Sequence, residues 1–234
     1  MSNELLWFIF IIVDLSLSLL AFRIWGKSGV YVMVATGTIV CNIQVIKTVQ
    51  LFGMVATLGN IVYASIFFNT DILSEVYGKK EARKAVWMGF FALISATVAM
   101  QFAIGFKPDI SDTMQPHLKA IFTFMPRIVI ASLSAYVISQ HHDVWAFHFW
   151  KKITKERHLW IRNNLSTMVS QLIDTTVFTF LAFWGVFSLS VFWQIFLTTY
   201  LFKWIIAVVD TPFLYLARWT VRNRNYPDLK SRPS

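Results

Sequence analysis

Charge is scarce in this chain. Only 14% of its 234 residues are Asp, Glu, Lys or Arg, where a soluble domain carries about 25%. That shortage argues against an ordinary water-soluble domain. Cysteine occurs once, at Cys41. A lone cysteine makes no internal disulfide, and its apolar run marks it as a packing residue. There is no H-E-x-x-H helix, no G-x-S-x-G elbow and no Walker A loop, so no catalytic residue, metal set or cofactor is assigned, and an enzyme is not expected. No low-complexity linker, soluble domain or clear internal repeat divides the sequence.

Apolar side chains fill the space instead: 56% of residues are hydrophobic and 17% aromatic. They gather in long runs. A bilayer span needs about 20 mostly apolar residues, and only helices or closed barrels satisfy their backbone groups in hydrocarbon. Seven candidate spans follow, at 5–25, 30–50, 54–72, 85–106, 120–140, 165–187 and 190–217. The fold class is therefore all-α, a polytopic transmembrane helical bundle. Pro212 is expected to bend or end the last span. Ala131 and Ala135 form a small-xxx-small pair in the fifth. Asn163 to Ser166 offers caps for the sixth. Residues 1–4 hold Glu4 and no Lys or Arg, unlike the basic start of a cleaved signal, so the first span is expected to be retained.

The net charge of +9 has a membrane explanation. Basic residues collect in alternate connections. Lys79, Lys80, Arg83 and Lys84 fall in 78–84. Lys151, Lys152, Lys155, Arg157 and Arg162 fall in 141–164. Arg218, Arg222, Arg224, Lys230 and Arg232 form the tail. Opposite connections are poorer, with Asp109 and Asp112 in 107–119. The positive-inside rule puts the basic connections and the C-terminus in the cytoplasm and the N-terminus outside. Nucleic acid is not expected as a partner; the lipid bilayer is. The run His141-His142-Asp143 with His148 lacks metal spacing and reads as a solvated cytoplasmic loop.

Polar residues inside spans are costly and face a partner, the bundle interior or a water-filled cavity. Asn42, Gln44 and Lys47 lie on the second span, with Lys47 placed to snorkel. The third carries Asn60, Asn69, Asp71 and Glu75. Asp71 and Glu75 share a face near a helix C-terminus, where a carboxylate is disfavoured, so the basic run after them serves as partner, or the two act in gating or coupling. Gln101 lies on the fourth span. Arg127, after Pro126, lies on the fifth and suits a carbonyl or carboxylate acceptor. Gln171 and Asp174 share a face of the sixth. Lys203, one turn after Thr199, falls mid-membrane in the seventh, so Asp174 and Lys203 are expected to pair, with Asp210 the alternative. Asp14, in the first span, has no evident partner.

The segment Thr70-Asp71-Ile72-Leu73-Ser74-Glu75-Val76-Tyr77-Gly78-Lys79-Lys80, with Ala82-Arg83 and Trp87-Met88-Gly89-Phe90, resembles a hallmark of the queuosine-precursor (vitamin uptake) transporter family. Asn42 with Lys47, the stretch from Arg127-Ile128 through Ala135-Tyr136 to Asp143, Ser170 to Trp184 around Asp174, and Lys203 extend the resemblance across about 30–217. Such proteins usually have six spans, so 1–28 reads as an additional N-terminal helix, 29–217 as a six-helix transporter core and 218–234 as a basic cytoplasmic tail.

The resemblance implies import of 7-deazaguanines such as preQ0, preQ1 or queuine across a bacterial inner membrane, for tRNA modification salvage. A guanine-like edge needs a carboxylate for its N–H donors and an amide or cation for its carbonyl. The candidate substrate-binding residues are Asn42, Asn60, Gln101, Arg127, Gln171, Asp174 and Lys203, with Asp71 and Glu75 at the inner side. Trp184, Trp193 and Trp204 are candidate stacking platforms. A substrate-capturing subunit of an ATPase-energised importer and an integral-membrane enzyme are the alternatives. Energy coupling and any homo-oligomer stay open.

Overall fold

The computed structural model describes residues 1–153 and 159–223. Lys155, Arg157, Arg224, Lys230 and Arg232 lie outside them. So do the side chains of Asp143, His148, Lys151, Lys152, Arg162, Arg222 and the cap at 163–166.

The described chain is mostly helical. In order it forms α1 (Asn3–Trp25), α2 (Lys27–Gln44), β1 (Thr48–Leu51), β2 (Met54–Thr57), α3 (Asn60–Val76), α4 (Lys79–Gly105), α5 (Gln115–Phe122), α6 (Met125–Ile153), α7 (Leu159–Phe183) and α8 (Leu189–Asn223). Among the described residues, Asn3–Trp25, Lys79–Gly105, Gln115–Ser139 and Leu189–Ile206 are long and apolar enough to cross a membrane, and Met168–Phe183 is apolar but shorter. The protein is a multi-pass membrane protein.

Four departures from the sequence expectations shape the bundle. The second and third spans do not meet at a short loop. A hairpin, β1–β2, intervenes, pairing Thr48 with Thr57 and Leu51 with Met54, so Lys47 lies beyond α2 and not on a span. The two-residue turn Phe52-Gly53 takes φ 51° and 77°, the left-handed geometry that matches strand twist. Here Asn3 Nδ2 donates to the Gln50 carbonyl at 3.0 Å, and the Phe52 N–H donates to Glu4 at 3.1 Å. From α8, Gln194 Oε1 accepts the Val55 N–H at 2.9 Å.

The fifth span breaks into α5 and α6 just before Pro126, which sits in the first turn of α6, where a proline's missing N–H is harmless. The expected loop 141–164 is largely helix. α6 runs to Ile153 and α7 starts at Leu159, because no Gly or Pro interrupts that stretch. His141 and His142 are therefore helical. Pro212 does not end α8, which continues to Asn223.

α1 packs against α2, α3 and α8. Its Trp7, Ile11, Leu15 and Phe22 join Phe68 and Ile72 of α3 and Phe202 and Ile206 of α8 in the largest apolar cluster. α6 packs mainly on α7, with Ala131 and Ala135 fully buried. α2 and α4 approach closely at Gly89, where an added Cβ would lie 2.6 Å from Thr38 Oγ1.

Candidate functional site

Between these helices lies a cavity of about 100 Å³. Its wall takes Asn42 from α2, Asn60 and Tyr63 from α3, Phe90 from α4, Ser132 and Tyr136 from α6, Asp174 and Phe178 from α7, and Thr199 and Lys203 from α8. On α3 the lining residues Asn60, Tyr63, Phe67 and Thr70 recur every three to four positions, which puts them on one helical face.

Two charges on neighbouring helices, α7 and α8, meet in that wall. Lys203 Nζ lies 2.7 Å from Asp174 Oδ2, and both side chains are buried. The pairing is with Asp174, not Asp210. Breaking such a buried pair by removing one partner costs about 3–5 kcal/mol, since the survivor is left unpaired. The carboxylate is further satisfied. Tyr63 donates to Oδ2 at 3.0 Å and Ser139 to Oδ1 at 3.4 Å. Lys203 also donates to Thr175 Oγ1 at 3.0 Å and stands 5.0 Å over the Tyr63 ring.

The amides complete the wall. Asn42 Nδ2 donates to the Thr38 carbonyl at 2.7 Å, and Asn42 Oδ1 accepts from Ser132 at 2.7 Å. Asn60 Oδ1 faces Trp7 Nε1 at 3.5 Å. Asn60 Nδ2 is buried without a partner among the described residues. Buried polar groups are nearly always satisfied, and this unmet donor belongs to a residue of the cavity wall. Phe90 and Tyr136 pack at 5.1 Å between ring centroids. The cavity wall therefore combines a buried ion pair, two amide side chains and flat apolar faces.

A family model described as "Putative vitamin uptake transporter" matches residues 57–217. The chain belongs to this vitamin uptake transporter family. It is similar to a Bacillus subtilis (strain 168) protein named "Probable queuosine precursor transporter", with 43% identity over 95% of this chain and 98% of the relative. It is also similar to the "Queuosine precursor transporter" of Escherichia coli (strain K12), at 28% identity over 72% and 75%. A third such protein, from Haemophilus influenzae (strain ATCC 51907 / DSM 11121 / KW20 / Rd), is 27% identical over 68% and 66%. No solved structure matches.

Of the residues singled out in this family member's sequence, Asn42, Asn60, Asp174 and Lys203 share the cavity. Gln101, Arg127 and Gln171 are not in its wall. Gln101 Nε2 donates to the Phe122 carbonyl, tying α4 to α5. The Arg127 fork does find carbonyls, but they belong to the backbone at the end of α7: Leu181 O and Trp184 O, each at 2.7 Å. Those carbonyls have no intrahelical partner, so Arg127 caps α7. Glu75 pairs with Arg218 of α8 and not with the basic run that follows it. Asp71 is exposed and lies off the cavity wall. Trp184 and Trp193 are 54% and 48% exposed, and neither they nor Trp204 is in the cavity wall, whose rings include Phe90, Tyr136 and Phe178.

Tyr63, Ser139 and Thr175 escaped the sequence reading. The spacing of Tyr63 from Asn60 was available. A tyrosine in an apolar run reads equally well as an interfacial residue.

Proposed function

We propose that this protein imports a queuosine precursor, a 7-deazaguanine such as preQ0, preQ1 or queuine, across a bacterial inner membrane for tRNA modification salvage. The observation that carries the reading is that the unpartnered Asn60 amide and the buried Asp174–Lys203 pair belong to residues lining one aromatic-walled cavity. Asp174, oriented by Lys203 and Tyr63, accepts the N–H edge of the heterocycle. Asn60 Nδ2 meets its carbonyl, and Asn42 with Ser132 flanks it. Stacking on Phe90, Tyr136 or Phe178 adds about 1–3 kcal/mol per base by analogy with nucleic-acid systems. The names of the relatives point to the same substrate class.

The charge pattern supports a cytoplasmic C-terminus and an external N-terminus. In that orientation 29–217 is the six-helix core, 1–28 an added helix and 218–234 the inner tail. Gln101 then ties α4 to α5 and Arg127 ties α6 to the end of α7, and the Glu75–Arg218 contact ties α3 to α8 at the inner side.

The test is uptake of a radiolabelled 7-deazaguanine into proteoliposomes holding the purified protein alone, with preQ0, preQ1 and queuine as competitors. Saturable uptake blocked by at least one of them is expected. Uptake that none of the three blocks overturns the substrate. Uptake only when an ATPase module is added overturns the self-sufficient transporter.

A further inference from the structure

A second polar cluster lies on the other side of α3, outside the cavity wall. Asp14 and Ser18 sit one turn apart on α1, at the middle of that helix. Ser65 and Asn69 sit one turn apart on α3, turned away from Tyr63, Phe67 and Thr70. Asn69 Nδ2 donates to Ser18 Oγ at 2.9 Å and to the Ser65 carbonyl at 2.8 Å. Asp14 lies against Ser65. These groups are shielded: Asp14 is 8% exposed, Asn69 1%, Ser65 3% and Ser18 0%.

The cluster is short of positive charge and of donors. Asp14 Oδ2 and Asn69 Oδ1 are both buried acceptors without a partner among the described residues. Among the described residues no ion pair reaches Asp14. From α2 the titratable group in electrostatic reach is the Cys41 thiol. α3 offers Ser65 and Asn69. α8 brings Phe202 and Ile206 to the same apolar cluster, and its Lys203 is held by Asp174. β1 meets only the start of α1, through Asn3. A buried carboxylate with an unmet oxygen, in a cluster whose amide also has an unmet oxygen, lacks an electron-pair acceptor.

We propose that Asp14, Ser18, Ser65 and Asn69 form a binding site for one small hard cation, a proton or a sodium ion, whose entry drives uptake. Oxygen donors suit either. A proton on Asp14 gives the cluster its missing donor, and a sodium ion takes the same oxygens as ligands. Coupling runs through α3, which carries the cluster on one face and Asn60, Tyr63, Phe67 and Thr70 of the substrate wall on another. The coupling rests on the import reading above; the cation site does not.

Two measurements on the full-length purified protein separate the parts. The first is thermal unfolding in detergent without substrate, titrating sodium against choline and, separately, pH. Any ligand bound only to the folded state raises the midpoint as its concentration rises. A sodium-dependent rise lost in Asp14→Asn and Asn69→Ala identifies sodium. A pH-dependent difference between wild type and Asp14→Asn that vanishes at low pH identifies the proton. Identical responses of wild type and both variants to sodium and to pH overturn the site. If Asp14→Asn does not fold, Asn69→Ala carries the comparison.

The second measurement uses proteoliposomes and a neutral 7-deazaguanine. One positive charge carried per neutral substrate supports about 50-fold accumulation at 100 mV. Wild type is expected to accumulate substrate on that scale, and Asp14→Asn to fall to near-equal concentrations while retaining counterflow exchange. Equal accumulation by both overturns the coupling. Absence of counterflow in wild type overturns the import reading, and the unfolding titration still decides the cation site.

Discussion

Asp174 and Asp14 are both carboxylates on apolar helices, and they are buried to nearly the same degree, 5% and 8% exposed. Their surroundings differ. Asp174 is met by an ammonium group and two hydroxyls. Asp14 keeps an oxygen that nothing meets. A carboxylate with its partners built in is a fixed element of architecture, able to hold a substrate edge in one orientation. One left short of partners belongs to a place where something comes and goes. The contrast shows why a count of buried charges says less than the satisfaction of each.

The largest expected effect comes from breaking the satisfied side. Asp174→Ala leaves the Lys203 ammonium buried and unpaired, and should destabilise the protein by about 3–5 kcal/mol. Replacing both partners, Asp174→Leu with Lys203→Met, should leave stability nearly unchanged, because apolar isosteres avoid the desolvation penalty of the pair. Uptake should still be lost, since the acceptor for the substrate's N–H groups is gone. Thermal unfolding and uptake measured on the same preparations check this. A double variant that transports would make the pair purely structural.

Next in size is Asn60. Asn60→Leu removes an unused donor and the long contact from Trp7 Nε1, so its stability effect should stay at about 1 kcal/mol. Its effect on substrate should be larger. A site built around a hydrogen bond rejects a ligand that cannot make it, by up to about 10⁴-fold. Uptake of the intact 7-deazaguanine should collapse while the protein stays folded. Competition by an analogue lacking the carbonyl should be weak in wild type and unchanged in Asn60→Leu. An unchanged transport rate in Asn60→Leu would show that the vacancy serves no ligand.

Arg127 sharpens the comparison from outside both clusters. Its guanidinium is exposed and bonds only backbone carbonyls of α7 and the face of Phe124. Arg127→Ala should destabilise by about 1 kcal/mol, the lower range for a charge-assisted bond discounted for exposure. Substrate affinity in the folded fraction should not change. Arg127→Lys should recover less than half of the loss, as an ammonium cannot fork to two carbonyls.

These cases mark what could be read in the sequence. The Asp174–Lys203 pair was legible because isolated opposite charges at matching depth have few ways to be neutralised. Arg127's taste for carbonyls was legible too, but its acceptor was not, since backbone carbonyls at a helix end leave no mark in composition. The hairpin was hidden because Thr48 to Leu51 and Met54 to Thr57 continue apolar runs, and short apolar stretches carry no period that separates strand from helix. The loop expected at 141–164 followed charge, whereas helix continuation follows the absence of Gly and Pro. Tryptophans drew attention as platforms by size, yet Trp184 and Trp193 are exposed and pack on Phe180 and the buried Phe192, away from the cavity wall. The smaller Phe90, Phe178 and Tyr136 line the cavity because their helices turn those faces inward.

Glu75 and Arg218 give the smallest effect and set a baseline for the others. They join α3 to α8, the two helices that also bring Tyr63 and Lys203 to Asp174. Yet their side chains are 44% and 54% exposed, and water or headgroups screen such a pair. Glu75→Gln should change stability by less than about 1 kcal/mol, and added salt should erase most of the change. The buried pair on the same two helices should be insensitive to salt, because screening reaches it weakly. Unfolding midpoints at low and high salt, for Glu75→Gln and for Asp174→Ala, test this directly. If Asp174→Ala showed the stronger salt dependence, Asp174 would be in contact with bulk solvent, and a carboxylate bathed in mobile ions cannot single out one heterocycle by hydrogen bonding.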